Sequence, residues 1–367
     1  MSDEFREKFV DSRGKGIVYN WFVIDHVGFE TNERHRDMGY GNVFKFYRRK
    51  IKEFGNKDKI YFHFHPISFS KEAHIPATSF DNSMYYLLQV LVRRLIDFNW
   101  FPVAYRAGFH TIRQDSNLFL ERWIPFDYSN QATYENEKTF QIDISNGRFG
   151  DWRRAPKEWK PYHPDIKDYQ SKGSMNRWIT KCLNIGTRLR LLTDLEIRKA
   201  FELAEKEGKA ILAFTNHDFR DMRLDIIDVY SRIWNISKEF PDVKLYNCDA
   251  VEAMQRYFYT ENEIIWNKLN LSFKWEKGVN YDRLIIETMN GEVFGSQPFL
   301  AIKTKDGRYL HDNFDEYNKK NSWSYTFDKL TLKLKQIESI KVASNDKYGN
   351  QFVIDVKIEN FSTKHNN

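Results

Sequence analysis

Cysteine is scarce in this chain: Cys182 and Cys248 are the only two in 367 residues. They lie far apart and in no Cys-x-x-Cys pattern, which excludes a disulfide framework or a zinc knuckle and predicts two free thiols. Long apolar runs are lacking too, so no membrane-spanning helix is expected. The first residues, Met-Ser-Asp-Glu-Phe-Arg-Glu-Lys, contain no uninterrupted apolar core of a signal peptide, and a cytoplasmic protein is expected. Nor is charge of one sign in excess. The 57 basic and 51 acidic residues leave a net charge of +6, spread as mixed clusters such as Arg48-Arg49-Lys50 and Lys157-Glu158. Without a basic stripe or a nucleic-acid motif, these charges read as solvated surface and nucleic acid is not an expected partner.

Aromatic residues, in contrast, are abundant: 30 Phe, 20 Tyr and 10 Trp exceed what a core ordinarily demands. Tyrosine and tryptophan also stack on sugar rings through their flat apolar faces, which hints at carbohydrate. The length suffices for one large domain and a small one.

The chain reads as strand, loop and helix, repeated. Residues 16–25 form a near-continuous apolar run, the mark of a strand buried on both faces, and it ends on Asp25-His26. A polar stretch and a helix over 43–54 follow. A strand over 59–63 runs into His63-Phe-His-Pro66, then into a helix over 81–98 whose residues Met84, Leu87, Leu88, Leu91, Leu95 and Ile96 recur near the helical period. A strand over 101–105, a helix over 116–123 and the run Ile124-Pro-Phe-Asp-Tyr128 come next. Residues 130–175 break the rhythm. A loop of that length is usually functional, and Trp152, Trp159 and Tyr162 are candidates to stack a sugar at the mouth of a site, a structural insertion being the alternative.

Regularity returns with a strand over 177–185 and a helix over 194–207, with Thr193 and Glu196 at capping-box spacing. A strand over 209–215 ends in Asn216-His-Asp-Phe-Arg220. A helix over 221–240, a strand over 243–246 and a helix over 249–259 complete an alternation that implies a parallel sheet, open or closed into a barrel. Short alternating runs after 269, such as Arg283-Leu-Ile-Ile-Glu-Thr, predict an antiparallel sheet or sandwich. The expected division is an α/β domain over 1–264 and a small C-terminal antiparallel β domain over 265–367, with a disordered tail from Ser362.

Histidine collects at the strand ends. At a strand's period of two, His63 and His65 lie on one side, where neutral imidazoles can grip one metal ion. Asp25-His26 and His217-Asp218 also stand at the C-terminal ends of expected parallel strands, where the loops of α/β folds converge and ligands bind. Four histidines would then face one cavity, while His74, His110 and His163 read as loop residues.

At these positions the sequence resembles the polysaccharide deacetylase superfamily, the NodB-homology carbohydrate esterases, over about residues 17–260. Val23-Ile-Asp-His26 lies where that family ends its first strand on Asp-Asp. His63, in His63-Phe-His-Pro66, matches the metal-binding histidine of the second motif. Tyr105-Arg-Ala-Gly108 and Phe126-Asp-Tyr-Ser129 are similar to the family's Phe-Arg-x-Gly and the Asp-Ser segment after it. His217, in Phe214-Thr-Asn-His-Asp218, matches the last motif's histidine. Two positions depart: His26 replaces an aspartate ligand, and Ile67 replaces the second histidine ligand.

The resemblance implies an irregular (β/α) barrel and metal-dependent hydrolysis of an N-acyl, usually N-acetyl, group on a sugar. It implies a divalent metal, zinc or another first-row ion, on His63 and His65 with either His26 or Asp25 as third ligand. It further implies Asp25 as general base, His217 as general acid and Arg106 orienting Asp25 by a charge-assisted fork. Asp218 is a candidate substrate contact, with helix capping as the alternative. A cytoplasmic enzyme would meet sugars while nucleotide- or lipid-linked, as in surface-polysaccharide precursors. Two other readings stand beside this one. An amidohydrolase-type metal hydrolase would carry His-x-His on its first strand, whereas here a strand ending in Asp25 precedes it. A metal-free descendant that binds carbohydrate and organises glycan assembly draws support from the departure at position 26.

Overall fold

Strand alternation sorts the apolar side chains into an inner and an outer layer, and the architecture follows from it. The computed structural model describes residues 1–73, 75, 77, 79–135, 150–187 and 189–358. A short helix α1 (Asp3–Arg6) precedes β1 (Asn20–Val23), α2 (Asn42–Glu53), β2 (Lys59–Phe64) and α3 (Met84–Phe98). Then come β3 (Ala104–Ala107), α4 (Gln114–Glu121), β4 (Phe126–Asn130) and β5 (Trp178–Asn184). Helix α5 (Asp194–Glu207), β6 (Ala213–Thr215), α6 (Arg223–Ser237), α7 (Ala250–Phe258) and α8 (Glu261–Trp266) complete this part. The six strands pair in parallel in the order β1-β2-β3-β4-β5-β6, a curled half-barrel. Tyr61, Ala104, Tyr128 and Cys182 turn inwards and pack on Ala250 and Met254 of α7. Phe62, Phe64 and Tyr105 turn outwards against Leu87, Leu91 and Leu95 of α3.

The α/β core is barrel-like, but among the described residues the sheet does not close. The strand expected over 243–246 is not formed, because its backbone groups find partners in the N-terminal turn instead. Ser12 and Leu245 exchange two hydrogen bonds, from Ser12 N–H to Leu245 O at 3.0 Å and from Leu245 N–H to Ser12 Oγ at 2.9 Å. Asn247 N–H donates to Asp11 Oδ2 at 2.9 Å. The strand expected over 209–215 shortens to its last three residues.

After α8 the chain is all antiparallel: β7 (Asn270–Lys277), β8 (Asp282–Asn290), β9 (Phe299–Thr304), β10 (Tyr309–Asp312), β11 (Asp315–Glu316), β12 (Ser322–Phe327), β13 (Ile337–Asn345) and β14 (Gln351–Val356). They form two four-stranded sheets, β10-β9-β13-β14 and β11-β12-β8-β7, that share a core of Leu284, Ile286, Ile302 and Val342. This unit also shares a core with the half-barrel. Helix α3 is buried on more than one side, and Phe299, Ala301 and Ala343 cover the side the parallel sheet leaves open. Asn345 Nδ2 bridges to Pro102 O and Trp123 O, both at 2.8 Å. Cys182 and Cys248 are unpaired, and among the described residues no helix is long and apolar enough to cross a membrane. The expected disordered tail lies outside the described residues.

His311 on β10 gives the interface a pH dependence. Its ring stacks on Phe299 with centroids 4.2 Å apart, and Nδ1–H donates to Leu300 O at 2.9 Å. Burial pushes its pKa down to about 4. The unfolded imidazole titrates at about 6.5, so below that pH the unfolded chain binds more protons than the folded one. The stability contribution is therefore complete above pH 6.5 and is lost as pH falls towards 4. About 2 kcal/mol should disappear between pH 7 and 5 on this account. Urea denaturation of wild type and His311→Gln at both pH values checks it, with the variant showing the flatter dependence.

Candidate functional site

The open side of the half-barrel leaves a cleft of about 2390 Å³ that reaches the C-terminal ends of the strands. Alternation selects what faces it. Phe22, Ile24 and His26 line the cleft from β1 and its extension, as do His63 and His65 from β2 and Arg106 from β3. The loop after β3 adds Phe109 and His110, the end of β5 adds Cys182 and Asn184, and the loop after β6 adds His217, Asp218 and Phe219. Five histidines thus share one cleft, one more than expected. His110 was assigned to a loop, and the signal that could have placed it is its position two residues after Gly108.

His63 and His65 converge. Strands β2 and β3 pair His63 with Arg106 in register, and His63 Nδ1 lies 2.7 Å from Arg106 O. A carbonyl only accepts, so Nδ1 carries the proton and the Nε2 lone pair is left free. That Nε2 faces Nε2 of His65 at 2.9 Å. Gly108 makes the approach possible, because a Cβ there would sit 2.4 Å from the His65 ring and from Phe64 O. The His26 ring centroid stands 6.5 Å from that of His65, and Nδ1 of each is buried without a hydrogen-bond partner.

These imidazoles are uncharged at neutral pH. Burial, then Arg106, pushes His63 down to about 3; burial, then Arg36, pushes His26 down to about 4. Burial, then Arg106 and Arg220, pushes His217 down to about 4 although its edge is open at the mouth. His65 and His110 are held well below the usual range, chiefly by burial. Burial raises Asp218.

Asp25 does not join them. It alternates with His26 and so turns outwards with Val23, where Arg94 Nε donates to Oδ2 at 3.1 Å and Gly41 N–H donates to Oδ1 at 2.9 Å. Arg94 is itself wedged between aromatic rings, 4.7 Å from Phe44 and 5.1 Å from Trp100. The Asp25–Arg106 fork expected from the sequence is therefore replaced by an Asp25–Arg94 pair that ties β1 and the start of α2 to α3. Asp25 is no candidate for metal ligand or general base. Arg106 instead contacts His110 Nδ1 at 3.2 Å and Asn184 Oδ1 at 3.5 Å through one nitrogen. Asp127 also turns outwards, to Arg177 at 2.7 Å, and Ser129 Oγ accepts from Ala107 N–H at 2.9 Å.

The expected sugar platform is core. Trp152, Trp159 and Tyr162 are 1%, 1% and 3% exposed. Trp152 Nε1–H donates to His110 O at 2.8 Å, Trp159 packs on Leu183 and Phe201, and Tyr162 OH donates to Tyr169 O at 2.6 Å. Residues 150–177 cover the outer face of the sheet, so their aromatics fill a layer. Trp152→Ala should cost about 3–5 kcal/mol in denaturant unfolding, the range for emptying a buried tryptophan site. The part of the platform over 146–149 and His74 lie outside the described residues. His163 is placed away from the cleft, with Nδ1–H donating to Arg177 O at 3.1 Å. Phe219 is the aromatic at the mouth, 82% exposed on the cleft's rim, and sequence reasoning passed over it although it follows His217-Asp218 directly.

The histidine pair fits a metal. Two ligands on one ion at about 2.0–2.1 Å each can be as close as His63 and His65 are, and a carbonyl holding the far nitrogen is the usual support of a ligating histidine. Among the described residues no group of three His, Cys, Asp or Glu is gathered tightly enough to hold an ion, and the His26 ring stands 6.5 Å from that of His65. The fold and site define a mixed α/β protein with a histidine-lined cleft at its strand ends. Searches of protein families, curated proteins and solved structures return no match for the chain.

Proposed function

We propose that the chain is a metal-dependent hydrolase that removes an N-acyl group, N-acetyl in the first instance, from a sugar of a surface-polysaccharide precursor. The observation that carries this reading is the convergence of His63 and His65, with the tautomer of His63 set by Arg106 O. A zinc or other first-row ion on this pair, with His26 as further donor, would polarise the scissile carbonyl and the attacking water. The proton falls to His217. As a neutral imidazole it can take the proton from water while the C–O bond forms, then return it to the nitrogen as the C–N bond breaks. One histidine then serves as base and acid, where a carboxylate base was expected. Phe219 presents a flat apolar face to the sugar at the mouth. A nucleotide- or lipid-linked carrier remains part of the proposal.

A second reading, a carbohydrate-binding assembly protein without metal, is favoured by the lack, among the described residues, of a third donor gathered with the pair. Metal analysis of protein purified without chelator and offered zinc, together with acetate release from a panel of N-acetyl sugars, separates the two. Close to one metal per chain with acetate release supports the hydrolase. Metal well below one per chain and no acetate leaves the binding protein.

A further inference from the structure

The geometry points to an anion-binding subsite in the cleft, in which Arg106 and Arg36 hold a phosphate or carboxylate group of the ligand. Arg106 is 5% exposed. A buried guanidinium cannot shed its proton, and charges in such places are normally paired. Three of the four other buried arginines meet a carboxylate: Arg6 meets Asp58 at 2.6 Å, Arg94 meets Asp25 at 3.1 Å, and Arg177 meets Asp127 at 2.7 Å, while Arg190 donates to Gln131 Oε1 at 3.1 Å and Gly150 O at 2.6 Å. Arg106 has no carboxylate partner among the described residues. Its contacts are a neutral histidine, an amide oxygen and the Cys182 thiol, and its Nε is buried without a partner. Histidine, neutral or protonated, carries no negative charge with which the surrounding imidazoles could compensate it. The side chain lines the cleft, so the missing counter-charge has room to enter from there.

Arg36 faces the same space from the loop after β1. Asn32 clamps that loop, accepting from Arg36 N–H at 2.9 Å and donating to Arg36 O at 2.6 Å. The guanidinium is half-buried, lines the cleft and forms no ion pair among the described residues. Asp218 is the single carboxylate among the described residues lining this end, on the opposite loop. Two guanidiniums around one pocket, neither with a carboxylate partner among the described residues, match the oxygens of phosphate or carboxylate, for which the planar fork is suited. The subsite concerns the same cleft as the hydrolase reading but does not depend on a metal.

The test measures binding at fixed ionic strength, on the protein as purified and again after chelation. The probes are N-acetylglucosamine, N-acetylglucosamine 1-phosphate, inorganic phosphate and acetate. The phosphorylated sugar should bind at least tenfold more tightly than the neutral one, and Arg106→Met and Arg36→Gln should each erase most of that preference. Arg106→Met should also keep or raise Tm in the absence of ligand, because it removes an unpaired buried charge, whereas an arginine with a structural role would lower it. Inorganic phosphate acting as strongly as the phosphorylated sugar assigns the subsite to free phosphate, and acetate acting alone assigns it to a carboxylate. The proposal is overturned if no anion binds or shifts Tm in the wild type, or if Arg36→Gln keeps the full preference. Should Arg106→Met fail to fold, the wild type and Arg36→Gln decide. A protein that binds no metal yet prefers the phosphorylated sugar would sink the hydrolase reading and leave this one standing.

Discussion

If the chain is the proposed hydrolase, His63→Ala is expected to empty the metal site and abolish acetate release. Its imidazole supplies an Nε2 in the cleft whose lone pair is set by a backbone carbonyl, and His65 alone lacks a second donor at comparable distance. The informative control is His217→Asn, on the other side of the cleft. It should keep the metal while losing roughly 10²- to 10⁴-fold in rate, the usual worth of a lost acid–base group. Metal content and acetate release measured on both variants separate a ligand from a proton carrier. Full metal occupancy in His63→Ala would remove the basis for the site.

Asp25→Asn should act on stability. The substitution leaves Arg94 charged, buried and without its carboxylate, a loss typically worth about 3–5 kcal/mol. Urea denaturation should show that loss, and metal content per folded chain should be unchanged, because Asp25 faces α3 and not the cleft. If Asp25 were the general base, the rate would fall with stability nearly intact. The two outcomes are opposite in stability and in rate per folded chain, which should be unchanged if Asp25 only pairs with Arg94.

Residues close together in sequence carried much of the fold. The helical period over Met84–Phe98 and the Thr193 cap on α5 mark helices that form where they were expected, because such patterns depend on neighbours three or four residues away. The period of two likewise placed His63 and His65 on one face. It also held the correction to Asp25, since adjacent residues in a strand point to opposite faces and His26 and Asp25 could not both enter the cleft.

What remained was decided by partners distant in sequence. Asp25 meets Arg94, 69 residues away on a helix, because aromatic rings from α2 and the turn after α3 hold that guanidinium against the outer face. Composition cannot tell a tryptophan that stacks on sugar from one that fills a layer; Trp152 and Trp159 were assigned by which face of the sheet their segment covers. Whether the sheet closed depended on where the backbone bonds of 243–247 went, and the N-terminal turn offered the partners. Sequence by itself thus determined the alternation of strands and helices from β1 to β6 and the side to which each of their strand residues points. Tertiary packing decided the pairing of charges and the unclosed sheet, because burial and counter-charges are set by surfaces that meet only after the chain has folded.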